Sequence, residues 1–199
     1  MPLLSVKSLA GGDSSNVYSF SLQNHWGTHV DMPNHVYTEG LKVIEYPADF
    51  WIFRHPQTVE VELGATELLR CGPWLEGVRP DADILLIRTG WHRHRGQDIY
   101  SLENPGIDME VGFYLRKNRP AIRAVGIDCV SISSYRKRDR GRAAHRAFLD
   151  PEGVNNPIVL IEDMDLGGEF DALMEVWAFP MLVEGIDGAP CTVIGSFRD

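Results

Sequence analysis

Ile84-Leu85-Leu86-Ile87 is an uninterrupted apolar run, entered from Asp81-Ala82-Asp83 and left through Arg88-Thr89-Gly90. So short a run between polar and turn residues reads as a strand covered on both faces, because a strand open to water on one side alternates polar and apolar residues instead. Ala124–Ile127 and Ile158–Ile161 repeat the pattern, so three central strands are expected. Two other segments do alternate, Tyr18–Leu22 and Val59–Leu63, and read as half-exposed strands. Helical signals are sparser. Asp108 caps a helix running through Asn118, with Glu110 near its positive end; Thr66–Arg70 and Glu169–Glu175 are shorter candidates. The expectation is one α/β domain over residues 1–199, with a mixed β-sheet and few helices. No repeat or linker divides the chain.

The 199 residues, 44% of them apolar, suffice for a substantial core. The net charge of -9, from 19 Lys and Arg against 28 Asp and Glu, repels phosphate backbones and anionic membrane surfaces, which leaves small molecules as the expected partners and excludes nucleic acid and membrane. Residues 1–15 lack a signal peptide's layout, and no run approaches the roughly 18 apolar residues of a membrane helix. Cys71, Cys129 and Cys191 are odd in number and widely spaced, which argues against a disulfide framework and a thiolate metal site. A cytoplasmic location is the corresponding expectation.

The chemistry concentrates in His25-Trp-Gly-Thr-His29-Val-Asp31-Met-Pro-Asn-His35, which holds three of the seven histidines, where even spreading would place fewer than one. Gly27, Val30 and Pro33 make a poor helix interior. In an extended chain alternate side chains share a face, so His25, His29, Asp31 and His35 point one way, with Trp26, Val30 and Met32 opposite. His29 and Asp31 would then lie roughly 6.6 Å apart along the strand, within reach of a common ion. His25 and His29 would lie about 13 Å apart in a straight strand, so sharing an ion requires a bend, and Gly27 sits where it is needed. Imidazole and carboxylate donors without thiolate suit zinc, manganese or iron. A hydrogen-bonded core cluster or closed structural site is the alternative. For His35 the choice is between a further ligand and a base beside the ion; Pro33 ends the strand before it, and the base is favoured.

This segment resembles the His-x-x-x-His-x-Asp-x-Pro-x-His signature of the cyclase-like metal hydrolases, which include bacterial kynurenine formamidase and isatin hydrolase. Leu85-Leu-Ile-Arg-Thr-Gly-Trp91 is similar to that family's strand ending in Thr-Gly-Trp, and Val125-Gly-Ile-Asp-Cys-Val-Ser131 to its Gly-x-Asp-x-x-Ser segment. Ala144-His145-Arg-Ala-Phe-Leu149 and Pro157-Ile-Val-Leu-Ile-Glu162 resemble its late His and Glu. The resemblance implies the swivelling β/β/α fold, with His25, His29 and Asp31 as first-metal ligands and His35 as the catalytic histidine. It further implies His145 with Glu162 at an adjacent or second ion bridged by Asp31, and a homodimer or homotetramer. One or two divalent ions are expected, zinc foremost.

Arg136, Lys137, Arg138, Arg140, Arg142 and Arg146 surround His145 in an acidic protein. They read as a solvated loop, with attraction of a carboxylate-bearing substrate as the functional alternative. His92 and His94 read as an exposed loop after Gly90, and Trp91 either walls a pocket or packs in the core. Nucleophile elbows, phosphate loops and dinucleotide motifs are absent from the sequence. The expected reaction is hydrolysis of an amide, formamide or cyclic amide of a small molecule by metal-activated water. His35 moves the proton, since histidine exchanges protons near neutral pH. A silent metal-binding protein and a non-haem iron oxygenase are the competing classes.

Overall fold

A computed structural model describes residues 2–198. Its strands are β1 (Leu4–Lys7), β2 (Val17–Ser19), β3 (His29–Asp31), β4 (Ile52–Phe53), β5 (Pro56–Glu60), β6 (Leu68–Leu69), β7 (Ile84–Arg88), β8 (Gly106–Ile107), β9 (Ala124–Ile127), β10 (Val159–Glu162), β11 (Leu173–Pro180) and β12 (Gly188–Phe197). The α-helices are α1 (Asp98–Leu102), α2 (Met109–Asn118) and α3 (Arg138–Leu149). Eight strands form one mixed sheet in the order β4-β11-β12-β3-β10-β9-β7-β5. From β5 to β10 the neighbours run parallel; from β10 to β4 they run antiparallel.

The three apolar runs are the parallel centre, as expected. Leu85, Ile87, Val125, Ile127 and Leu160 face one core layer, which α2 and α3 cover through Val111, Leu115, Ala144 and Phe148. Ile84, Leu86, Ala124, Val159 and Ile161 face a second layer containing Val30, Met32, Phe53, Val176 and Ala178. Burial on both sides is why these strands show no alternation. Asp108 caps α2 by accepting from the Glu110 backbone N–H, as its sequence position implies.

Other elements differ from expectation. The Tyr18–Leu22 pattern yields only β2, which pairs with β1 outside the main sheet and is exposed along its length. Val59–Leu63 is shifted: the strand is β5, with Val61 and Leu63 still donating to the carbonyls of Arg88 and Thr89. Thr66–Arg70 is not a helix. Thr66 takes φ 58°, and Leu68–Leu69 pairs in parallel with Gly106–Ile107 as β6 and β8. Glu169–Glu175 is likewise not a helix, because from Leu173 onward Val176 and Ala178 face the core while Trp177 and Phe179 face out, a period of two that makes β11. The basic segment is the reverse case. It is helix α3 rather than a loop, with Gly141, Ala144, His145 and Phe148 forming a buried stripe at helical spacing beneath the exposed arginines.

Candidate metal centre

The sheet places the donor groups. In β3, His29 and Asp31 are two residues apart and share a face, while Val30 between them is fully buried in the opposite core layer. β3 lies between β10 and β12, with Glu162 opposite His29 and Gly188 opposite Asp31. Two carboxylates and an imidazole are therefore juxtaposed by strand register alone. Chain reversal brings in the next histidine: Gly27 has φ 67°, a conformation glycine adopts without strain, and the turn returns His25 so that its Nδ1 lies 2.7 Å from Asp31 Oδ1. Pro33 ends β3 in a short 3-10 turn to His35, whose Nε2 is 4.0 Å from Asp31 Oδ2. The buried stripe of α3 presents His145 from above, its Nε2 3.3 Å from Asp31 Oδ2 and 3.4 Å from Glu162 Oε1. All six predicted residues thus line one cleft of about 370 Å³. Trp26, expected on the core side of an extended strand, is instead in the turn and exposed.

The tautomers are set by the surroundings. His29 Nδ1 donates to the carbonyl of Gly27 at 2.8 Å, and His145 Nδ1 to that of Gly141 at 2.9 Å. Each neutral ring then keeps the lone pair of Nε2 for the centre. The His29 Nε2 lies 3.4 Å from Asp31 Oδ1 and 3.5 Å from Glu162 Oε2, long for charged hydrogen bonds. Donors bound at 2.0–2.1 Å around a tetrahedral ion stand about 3.3 Å from one another. The donor set fits a divalent cation, and Asp31 turns one oxygen to His25 and His29 and the other to His145 and His35. Glu162 is held by the backbone N–H of Ile132 at 2.7 Å and the Ser131 hydroxyl at 3.1 Å.

Electrostatics point the same way. Burial opposes charge on His29, yet Asp31 and Glu162 outweigh it and push the imidazole up to about 11. The same opposition and the same partners raise His145 to about 10. Burial also disfavours an ionised Asp31, but His145, His25 and His29 hold its carboxyl well below the usual range. The cleft is a concentrated negative well that demands positive charge.

Two residues at the site were not singled out from the sequence. Asp187 Oδ2 accepts from His35 Nδ1 at 2.7 Å and from His25 Nε2 at 3.1 Å, while Asn24 donates to its Oδ1 at 2.8 Å. An aspartate in Gly185-Ile-Asp-Gly188 reads as a turn residue, and only the β3–β12 register brings it to the histidines. His92 is not in an exposed loop: it lies in a 3-10 turn, and its Nδ1 bonds buried Asp128 at 2.7 Å. His94 shares that turn, and Trp91 is core. A larger cavity, about 550 Å³, is lined by Met164, Leu166, Phe170 and Phe197 and holds no cluster of metal-ligating groups among the described residues.

A family model described as "Putative cyclase" matches residues 3–134, more than half of the chain. The chain belongs to this cyclase family. The match includes His25–His35, whereas α3 and β10 lie beyond it. Kynurenine formamidase of Bacillus thuringiensis is 28% identical over 188 residues, 91% of this chain and 80% of that protein. An uncharacterized protein of Haemophilus influenzae is 32% identical over 114 residues, 53% of this chain and 78% of its own. Among solved structures, isatin hydrolase A of Labrenzia aggregata superimposes with a TM-score of 0.76 at 18% identity, covering 98% of this chain and 82% of that one. A predicted metal-dependent hydrolase of Bacillus stearothermophilus gives a TM-score of 0.66 at 17% identity, covering 98% and 85%. These superpositions establish the cyclase-like fold. Among the described residues no helix is long and apolar enough to cross a membrane.

Proposed function

We propose that this protein is a metal-dependent hydrolase that cleaves a carbon–nitrogen bond in a small formamide, amide or cyclic amide, as the names of its kynurenine formamidase and isatin hydrolase relatives suggest. The observation that carries this reading is the pair of imidazoles, His29 and His145, whose Nδ1 atoms are tied to backbone carbonyls while their Nε2 atoms converge on Asp31 and Glu162. His25, His29 and Asp31 would hold one ion, and His145 and Glu162, with Asp31 bridging, a second; zinc is the first choice, manganese or iron the alternatives. Bound there, a divalent cation supplies an acidified water and polarises the scissile carbonyl.

The chain's own groups do the rest. His35 takes the proton from the attacking water at Nε2 and returns it to the leaving nitrogen, and Asp187 holds the ring's opposite edge. A second cavity of about 490 Å³ adjoins the cleft, sharing Val130, Ser131, Ser133 and Arg142. It is also lined by Ser134 and Asn104. Arg142 at the junction supports a carboxylate-bearing substrate. Leu3, Leu4, Val6, Tyr18 and Phe20, exposed around the β1–β2 hairpin, support a homodimer or homotetramer. A cytoplasmic location completes the reading.

The test is elemental analysis of purified protein together with a hydrolysis panel containing N-formylkynurenine and isatin. Metal at one or two equivalents with turnover of a panel member is the expected result. Metal without any turnover would make the site a silent one, and oxygen uptake with ferrous iron would make it an oxygenase.

A further inference from the structure

We infer that Asp187 is a positioning residue that aligns the ligand histidine His25 and the proton-transferring His35 through a single oxygen, an assignment that rests on the hydrolase reading above. Oδ2 of Asp187 is 3.1 Å from His25 Nε2 and 2.7 Å from His35 Nδ1, and the two rings lie 4.4 Å apart. An ionised carboxylate only accepts, so each ring must present an N–H to it. In the metal-free protein His25 donates from both ring nitrogens, Nδ1 to Asp31 at 2.7 Å and Nε2 to Asp187. An ion at this site would take the place of the Nδ1 proton while the Nε2–H stays on Asp187; the lone pair of His35 is left on Nε2, the atom facing the cleft. Either ring, turned over, would offer its N–H to the centre and could neither bind an ion nor accept a proton there.

The placement of Asp187 is itself determined. Its carbonyl accepts from the Met32 N–H at 3.0 Å, and the next residue, Gly188, pairs with Asp31 in the β3–β12 ladder. Asn24 fixes the second oxygen, donating to Oδ1 at 2.8 Å and to the Gly188 carbonyl at 3.3 Å. One half-buried carboxylate thus registers three segments: the turn before β3, the turn after it and the entry to β12. Ligand orientation and proton transfer become coupled, because whatever displaces Asp187 disturbs both. Carboxylates behind metal-bound imidazoles commonly act this way, and their loss typically costs 10–100-fold in affinity or activity.

The experiment compares wild type, Asp187→Asn and Asn24→Ala by zinc titration against a competing chelator and by steady-state hydrolysis of N-formylkynurenine at saturating zinc. Asp187→Asn should bind zinc about 10–100-fold more weakly and, once loaded, show kcat lowered by about the same factor with KM within about two-fold. Asn24→Ala, which keeps the carboxylate but frees one oxygen, should show a smaller loss of the same form and decides the matter if the first variant fails to fold. Wild-type zinc affinity and kcat in the folded variants would overturn the assignment, as would a loss confined to KM. If wild type takes up zinc but hydrolyses nothing, the hydrolase reading falls while the affinity comparison still judges the hold on His25. If wild type takes up no zinc, both fall.

Discussion

Gly188→Ala should damage the proposed metal centre from outside it. A Cβ on Gly188 would lie 2.6 Å from His25 Cε1 and 2.6 Å from the Val30 carbonyl oxygen. Carbon atoms pack at about 3.5–4.0 Å, so the His25 ring must withdraw by about 1 Å, or β12 must move off β3. Ligand distances tolerate only about 0.2 Å, so a ring displaced this far leaves the coordination sphere. Overpacking of this kind costs about 1–3 kcal/mol, which in a chain of this length lowers Tm by roughly 2–12 °C. The assay is thermal denaturation of the metal-free protein followed by zinc titration against a chelator: a lower Tm and an affinity reduced at least ten-fold are expected. Gly27→Ala is the internal comparison. Its Cβ would meet nothing within 4 Å, and only the φ of 67° opposes it, a cost of about 1–2 kcal/mol with affinity closer to wild type. A Gly188→Ala protein that binds zinc as tightly as wild type would refute the packing argument and, with it, the placement of His25 as a ligand.

His35→Ala should lower kcat by about 10²–10⁴-fold while zinc content persists, whereas His29→Ala should lose both; mass-spectrometric metal analysis beside a rate assay separates the two cases, and full activity in the His35 variant would remove the proton-transfer role. Asp128→Ala should be a stability variant: the buried carboxylate accepts from the N–H groups of Thr89 and Gly90, from the Thr89 hydroxyl and from His92, so its removal costs about 3–5 kcal/mol in denaturant titration. The metal-free protein should lose stability as pH rises. His29 and His145 carry folded-state values of about 11 and about 10 against an ordinary 6.5, so their contribution is complete below pH 6.5 and is lost as pH climbs through 10 to 11. Thermal melts from pH 6 to 10, with and without zinc, would show the slope without metal and flatten it with metal.

What was legible in the sequence follows from which interactions are local. The central strands were readable because burial on both faces leaves an unbroken apolar run, and α2 because Asp108 caps the helix it begins. The convergence of His25, His29 and Asp31 followed from a period of two and one glycine. Helix α3 was masked because its buried stripe uses small residues and a histidine amid arginines, so hydropathy shows a charge run where geometry shows an amphipathic helix. β11 was masked because Trp177 and Phe179, apolar residues, occupy its outward face. Asp187 was illegible for a different reason: 152 residues separate it from His35, and only the pairing of β12 with β3 brings them together.

The position of β3 explains why the centre forms here. It lies beside β10, the strand at which the sheet changes from parallel to antiparallel, so its cleft face receives side chains from either side, Glu162 from β10 and Asp187 from the entry to β12. Two buried carboxylates so close together are costly unless positive charge joins them. In the metal-free protein that charge comes as protons on His29 and His145; a divalent cation must displace those protons to bind. Ion and protons therefore compete for one well, and zinc affinity should tighten steadily with rising pH over the same interval in which the metal-free fold weakens. A pH-independent affinity between pH 6 and 9 would mean that the imidazoles are neutral without metal, and that the well is shallower than its two carboxylates imply.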